Sequence, residues 1–427
     1  MTTPSAQHRK RLVKTLLPKS AVFVHSNDVY PSNADGTLPF VQNSDLYYLS
    51  GINQEESILV LFPDAPDPKM RELLFLRETN EQIAIWEGER FTKQEASQIT
   101  GIPVESIHWL NHFDRVYHTV MQQAQHVYLN SNEHARAMVE VETRDRRFIK
   151  RCQHDYPLHK YERLAPLMQY LRMIKSAHEV DVIKQAINVT EKAFRRLLGF
   201  VKPGVMEYEV EAEMIHEFVR NGAQGHGFAP IVASGKNACV LHYVKNKARC
   251  ENGDLLLLDF GARFHNYNAD LTRTIPVNGR YNARQKAVYN AVLSVHRGAR
   301  KLLKPGVLIR EYQEAVGHLM EEELIKLKLL DRQAVKKQNN DAPLYRKYFM
   351  HGTSHHLGLD IHDVGDPYHR VAPGMVFTVE PGIYIREEGL GIRIENDVLI
   401  TRTGNTDLMA NIPIETEEIE SLMRQKR

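Results

Sequence analysis

Four carboxylates stand where the local pattern would bury them. Asp259 closes the run Leu255-Leu256-Leu257-Leu258, and a strand that apolar is expected to be buried on both faces. An unpaired carboxylate there is costly, and the usual escapes are protonation, an ion pair or a metal ion. Asp270 lies on a second strand, expected over 266–277. A hairpin turning at Phe264-His265 would set Asp259 opposite Asp270. Like charges facing each other across a ladder are destabilising, and a divalent cation between them reverses that sign. The pattern recurs near the C-terminus. Glu380 ends the strand Met375-Val376-Phe377-Thr378-Val379, and Glu395 sits in Ile392-Arg393-Ile394-Glu395. A hairpin turning at Glu387-Glu388 sets 380 opposite 395. Any one of these acids, taken alone, reads as a surface or ion-paired residue; the repeated placement favours metal. Four carboxylates and a histidine can neutralise and hold two divalent cations. So oxygen-rich a site favours Mn²⁺, while a histidine leaves Co²⁺, Zn²⁺ or Fe²⁺ open.

The histidine comes from the segment at 351–363, His-Gly-Thr-Ser-His-His-Leu-Gly-Leu-Asp-Ile-His-Asp. Gly352 and Gly358 argue against a regular helix and for backbone packed close to something. The helical HExxH zinc motif is excluded, because its Glu is missing. Surface histidines are the bland reading; the alternation of Leu357, Leu359 and Ile361 favours a half-buried strand. His242, in Val240-Leu241-His242-Tyr243, adds one more histidine in an apolar setting, which by itself reads as a hydrogen-bonded core residue.

These groups must be positioned by elements of two kinds. The first ~170 residues alternate short apolar runs (Ser57 to Phe62, Leu73 to Leu76, His126 to Leu129) with helical stretches, as an α/β domain does. Amphipathic spacing then predicts helices over 164–175 and 179–200, closed by Lys202-Pro203-Gly204, and over 207–221. Strands come next at 254–260 and 266–277. Helices recur at 281–303, closed by Lys304-Pro305-Gly306, and at 311–327, and strands return at 374–379, 383–386 and 391–401. The repeated Lys-Pro-Gly, each time between two helices that precede a carboxylate hairpin, reads as an internal duplication. The boundary is placed so that 1–174 form an N-terminal domain and 175–427 a catalytic one.

Composition narrows the partners. Lys plus Arg is 55 and Asp plus Glu 53, so the charge balance gives no reason to expect nucleic acid or an anionic membrane. The three cysteines, Cys152, Cys239 and Cys250, form no CxxC pair and no disulfide framework, which fits a reducing compartment. Neither an export signal nor a membrane span is recognisable. The expected location is cytoplasmic.

Taken with Asp-Phe-Gly-Ala at 259–262, Asn-Ala-Asp-Leu-Thr-Arg-Thr at 268–274, Thr-Val-Glu-Pro-Gly-Ile-Tyr at 378–384 and Arg-Ile-Glu-Asn-Asp at 393–397, the histidine segment resembles the conserved blocks of the proline-peptidase group of metallopeptidases, in the same order. The branch it resembles is the Xaa-Pro aminopeptidases (aminopeptidase P), through Gln42 to Gly51 and Ile85-Trp86-Glu87-Gly88-Glu89-Arg90 in the front half. The resemblance spans essentially the whole chain. It implies an α/β N-terminal domain followed by an α+β "pita-bread" catalytic domain with an internal pseudo-two-fold. It implies Asp259, Asp270, His355, Glu380 and Glu395 as ligands of two metal ions, with Asp270 and Glu395 bridging. By position, His242, His351 and His362 line the substrate site, and Arg393 supports the ligand shell. His356 stands where some members carry an aromatic residue.

The reaction this implies is a peptide-bond hydrolysis. Two ions sharing one water lower its pKa toward neutrality, and the hydroxide so formed attacks the carbonyl of residue one. Glu380 is expected to take the proton and deliver it to the leaving proline nitrogen. His351 and His362 hydrogen-bond the carbonyl or the oxyanion, and His242 contacts the substrate side. The substrates implied are peptides with proline second, and the assembly implied is a homodimer or homotetramer. Tyr47, Tyr48 and Trp86 are either contacts of that assembly or core of the small domain. A prolidase, cutting only Xaa-Pro dipeptides, shares the five ligands and stays open. A methionine aminopeptidase is disfavoured by the long front domain, and a creatinase-like enzyme has no need of the ligands. A non-catalytic binding module is disfavoured because no ligand is missing.

Overall fold

The computed structural model describes residues 3–137, 140–339 and 341–425. The chain divides into two compact units, Met1–Arg172 and Met173–Arg427.

In the first unit six strands form one mixed sheet: β1 (Ser20–His25), β2 (Ile58–Leu61), β3 (Glu72–Leu76), β4 (Ile107–Trp109), β5 (His126–Leu129) and β6 (Lys160–Arg163), in the order β4-β3-β2-β1-β5-β6. β1 runs parallel to β5 and antiparallel to β2. The three strands expected from apolar runs are present, and helices lie between them, as the α/β reading requires. Three more were not read from the pattern. β1, Ser-Ala-Val-Phe-Val-His, is the fully buried centre of the sheet. β4 is only three residues long, and β6, Lys-Tyr-Glu-Arg, is a polar edge strand. Phe23, Phe75, Phe113, Tyr117 and Phe148 pack as an aromatic core on one face. Tyr48 belongs to the interior, stacked 3.8 Å from the ring of His8, whereas Trp86 is 89% exposed.

The second unit carries the duplication. Helices Ala177–Phe200 and Glu207–Arg220 precede β7 (Ile231–Ser234), β8 (Leu255–Phe260), β9 (Arg263–Phe264), β10 (Tyr267–Asn268) and β11 (Leu271–Pro276). Helices Ala283–Leu302 and Ile309–Lys326 precede β12 (Val376–Val379), β13 (Gly382–Ile385), β14 (Leu390–Arg393), β15 (Asn396–Ile400) and β16 (Asn405–Asp407). Each helix pair is joined through Lys-Pro-Gly, and in both the glycine is left-handed, Gly204 at φ +98° and Gly306 at φ +90°. β11-β8-β7 and β12-β15-β16 are the two half-sheets. They meet where Thr272 bridges Glu395, whose N–H donates to Thr272 O at 3.1 Å.

Two registers differ in outcome. In the second hairpin, Val379 faces Asn396 and Gly382 faces Arg393; both pairs keep the frame that puts 380 across from 395, as expected. In the first hairpin, Asp259 faces Thr272, not Asp270. The turn lies one residue later than expected, at His265-Asn266, with both residues at positive φ (44° and 62°), the backbone of a two-residue hairpin turn whose twist matches its strands. Moving the turn by one residue moves the partner by two, so Asp259 and Asp270 stay on the same face. The long strands expected at 266–277 and 391–401 are each interrupted at the carboxylate. Asp270 N–H leaves the ladder for Asp397 Oδ2 (3.1 Å), and Glu395 falls between β14 and β15.

Gly261 lies across from the first break, between β8 and β9. A Cβ there would lie 1.6 Å from Ala269 O, which no rotamer relieves. Gly261→Ala is therefore expected to lower the thermal midpoint of the second unit by the equivalent of about 1–3 kcal/mol. It should also weaken metal retention, because the same backbone carries Asp259 and Asp270. Thermal unfolding with metal analysis checks this; unchanged values of both would contradict it.

Candidate metal centre

Asp270, His355 and Glu395 bring one ligand atom each to within 4.8 Å of one another. His355 Nδ1 lies 2.9 Å from His356 O. If that nitrogen carries the proton, Nε2 presents its lone pair to Asp270 Oδ2 at 3.4 Å and Glu380 Oε1 at 3.7 Å. A neutral imidazole oriented through a carbonyl is how histidine usually ligates a metal. Glu395 Oε2 accepts from Thr272 Oγ1 at 2.6 Å.

Asp259 stands at the edge of this group. Its Oδ2 is 2.5 Å from Arg393 Nη2, and its Oδ1, like Asp270 Oδ1, is buried without a hydrogen-bond partner. Arg393 Nη1 donates to Tyr384 Oη at 2.7 Å, and Tyr384 Oη lies 2.9 Å from His351 Nε2. Because Tyr384 accepts from the arginine, its own proton is free to go to His351. His351 Nδ1 then donates to Gly352 O at 2.8 Å. Burial, reinforced by Arg393, holds His351 neutral, with its pKa down at about 3.

The electrostatics ask for cations. Asp270 and Glu395 are pushed well above the usual carboxylate range, first by burial and then by neighbouring acids: Asp259 for Asp270, and Asp270 with Glu380 for Glu395. Burial also raises Asp397. Arg393 opposes this charge at both Asp270 and Glu395 without cancelling the rise. Orphaned oxygens, an oriented imidazole and excess negative charge together fit a divalent metal ion, and the donor set is mostly oxygen.

Metal uptake should therefore expel protons. In the metal-free chain Asp270 and Glu395 hold protons more tightly folded than unfolded. That contribution to stability is complete below the unfolded value of about 4 and is lost as pH rises through the raised folded values. Ligation requires the protons to leave, so apparent affinity should rise with pH. Calorimetry in two buffers of different ionisation enthalpy checks this; equal heats would contradict it.

The other expected residues are placed as follows. His362 is exposed, its ring edge-on to His355 with centroids 4.5 Å apart. His242 is exposed in a turn, not in an apolar setting. The segment at 351–363 is not a strand. Its first part runs along β12, through Glu380 N–H to Thr353 O, Thr378 N–H to His355 O and Leu357 N–H to Val376 O, then bends at Gly358, where the expected alternation stops. His356 is half-buried and packs against Phe377, with its pKa lowered to about 3 chiefly by desolvation. Tyr384, Thr272 and Asp397 were assigned no role from the sequence, though each lies within or beside a block that carries an expected ligand.

With this geometry in view, the chain is a metallopeptidase: residues 181–402 match metallopeptidase family M24, to which the chain belongs, and residues 5–128 match the aminopeptidase P N-terminal domain. It is 35% identical to the Xaa-Pro aminopeptidase of Escherichia coli (strain K12), over 98% of this chain and 96% of that protein. Among solved structures it is similar to a candidate aminopeptidase P of Bacillus anthracis (TM-score 0.92, 35% identity, 100% and 99% of the two chains). It is also similar to zinc-substituted E. coli aminopeptidase P in complex with product (TM-score 0.86, 33% identity, 99% and 98%). No helix among the described residues is long and apolar enough to cross a membrane.

Proposed function

We propose that the chain is an Xaa-Pro aminopeptidase, releasing the N-terminal residue from peptides whose second residue is proline. The observation that carries the reading is the cluster of buried Asp270 and Glu395 with half-buried His355, together with the orphaned carboxylate oxygens of Asp259 and Asp270. It is supported by relatives of that name aligned over almost the whole length.

Asp259, Asp270, His355, Glu380 and Glu395 would hold two divalent ions, with Mn²⁺ favoured by the oxygen donors. When bound, the ions supply Lewis acidity and lower the pKa of water. The protein's own groups do the rest. Glu380, 3.6 Å from His351 Nδ1, takes a proton from the attacking water and gives it to the departing proline nitrogen. His362, exposed beside His355, donates to the scissile carbonyl. His351 joins it by exchanging the Nδ1 bond to Gly352 O for one to substrate. Such a donor contributes about 3–4 kcal/mol to lowering the barrier. Arg393 holds Asp259 and, through Tyr384, the ring of His351. A homodimer or homotetramer is the assembly that goes with this reading.

The test gives manganese-loaded protein an Xaa-Pro-Yaa tripeptide and an Xaa-Pro dipeptide beside a chelated control. Release of the first residue from the tripeptide, lost on chelation, is expected. Cleavage of the dipeptide alone would make the enzyme a prolidase.

A further inference from the structure

We infer that Glu207 is a positioning residue for His242: its carboxylate holds the segment that carries that histidine to the substrate side of the site. This rests on the proposed role of His242. Glu207 opens the helix Glu207–Arg220 and is fully buried. Its Oε1 accepts from Ser234 N–H (2.8 Å), Ser234 Oγ (2.8 Å) and Asn237 Nδ2 (3.2 Å), and its Oε2 from Tyr243 Oη (2.8 Å) and Ala248 N–H (2.8 Å). All five donors belong to the stretch 234–248, and His242 lies inside it, next to Tyr243. Beyond β7 and the 3-10 turn Gly235–Cys239 that stretch enters no sheet. One turn further along the helix, Glu211 Oε2 accepts from Asn246 Nδ2 at 2.8 Å, and Asn246 has the positive φ of 44° that turns the chain back.

On its other side the stretch is seated on the metal centre's framework. Gly391 of β14 lies so close that a Cβ would come 2.3 Å from Ala238 O, and β14 ends in Arg393. Ser234, which gives Glu207 two of its hydrogen bonds, ends β7, whose first residue Ile231 faces Asp259. A loop of mixed polar and apolar sequence is thus gathered around one carboxylate, and charge-assisted bonds are the strong ones. The position at the first turn of a helix further favours the negative charge. Glutamine in its place would turn an NH₂ toward donors, leaving some of them unpaired in a buried network.

The experiment measures kcat, KM and bound manganese for Glu207→Gln, His242→Ala and the double variant on the tripeptide, with amide hydrogen exchange of each. Each single variant should raise KM by about tenfold or more, within the reach of a displacement of about 1 Å, with bound metal at the wild-type level. The double variant should be no worse than His242→Ala, because the two act as one. Exchange over 235–248 should rise in Glu207→Gln and stay unchanged over 376–400. Multiplying effects in the double variant, metal loss, or unaltered exchange over 235–248 would overturn the inference. Tyr243→Phe removes a single bond to Glu207; it carries the same cycle with His242 if Glu207→Gln does not fold. Should the wild-type protein leave the tripeptide intact, the proposed function fails, and exchange alone decides whether Glu207 holds the segment.

Discussion

Glu380→Ala is expected to lower kcat on an Xaa-Pro-Yaa peptide by about 10⁴, the upper end of what a positioned acid–base group contributes. The upper end applies because the side chain serves two ends at once. Its Oε1 lies 3.7 Å from His355 Nε2, at the metal cluster, and its Oε2 lies 3.6 Å from His351 Nδ1. In the proposed roles, alanine would delete a ligand together with the proton acceptor. Glu380→Gln keeps the shape and removes the basicity, so it should lose nearly as much turnover while retaining more metal than alanine. Steady-state kinetics with metal analysis on both variants checks the pair. A variant that keeps a tenth of the wild-type kcat at full metal content would remove Glu380 from the chemistry.

The second large effect belongs to Arg393→Leu. The guanidinium is buried and donates to three groups: Asp259 Oδ2 at 2.5 Å, Tyr384 Oη at 2.7 Å and Thr272 Oγ1 at 3.2 Å. Leucine leaves Asp259 a buried charge with its partner gone, and breaking one side of such a pair costs about 3–5 kcal/mol. For a unit of this size that is on the order of 10 °C in thermal midpoint. Loading with manganese should restore part of it, because a cation then compensates the same carboxylate. Turnover should stay down by about 10²-fold even when loaded, since Tyr384 has lost its donor and no longer fixes His351. Arg393→Lys should rescue poorly: an ammonium cannot span the three acceptors with a fork. Metal-free Arg393→Leu melting at the wild-type temperature would contradict this account.

The candidate ligand cluster was legible because its residues break a local rule. Acids at 259, 270, 380 and 395 interrupt or end apolar strands, and the structure breaks the chain's ladders at Asp270 and Glu395. The frame of 380 and 395 could be read because the turn is centred on Glu387-Glu388. The frame of 259 and 270 slipped by two, because the turn sits at His265-Asn266, the pair whose side chains tolerate positive φ better than Phe264 does. That slip left both acids on one face, so the site survived it. What could not be read were partners far apart in sequence. Thr272 reaches Glu395 across 123 positions, and Glu207 gathers donors from 27 to 41 residues away. Such bonds arise from the tertiary arrangement, and no spacing announces them. β1 and β7 were also missed, although each is a short buried run of the kind by which β2 and β3 were read.

The measurement that bears most directly on the central claim is an anomalous difference map from crystals soaked in manganese. The account predicts two peaks per chain, both held by Asp270 and Glu395, one reaching Asp259 and the other His355 and Glu380. A single peak, or peaks away from these residues at full occupancy of the metal, would contradict it.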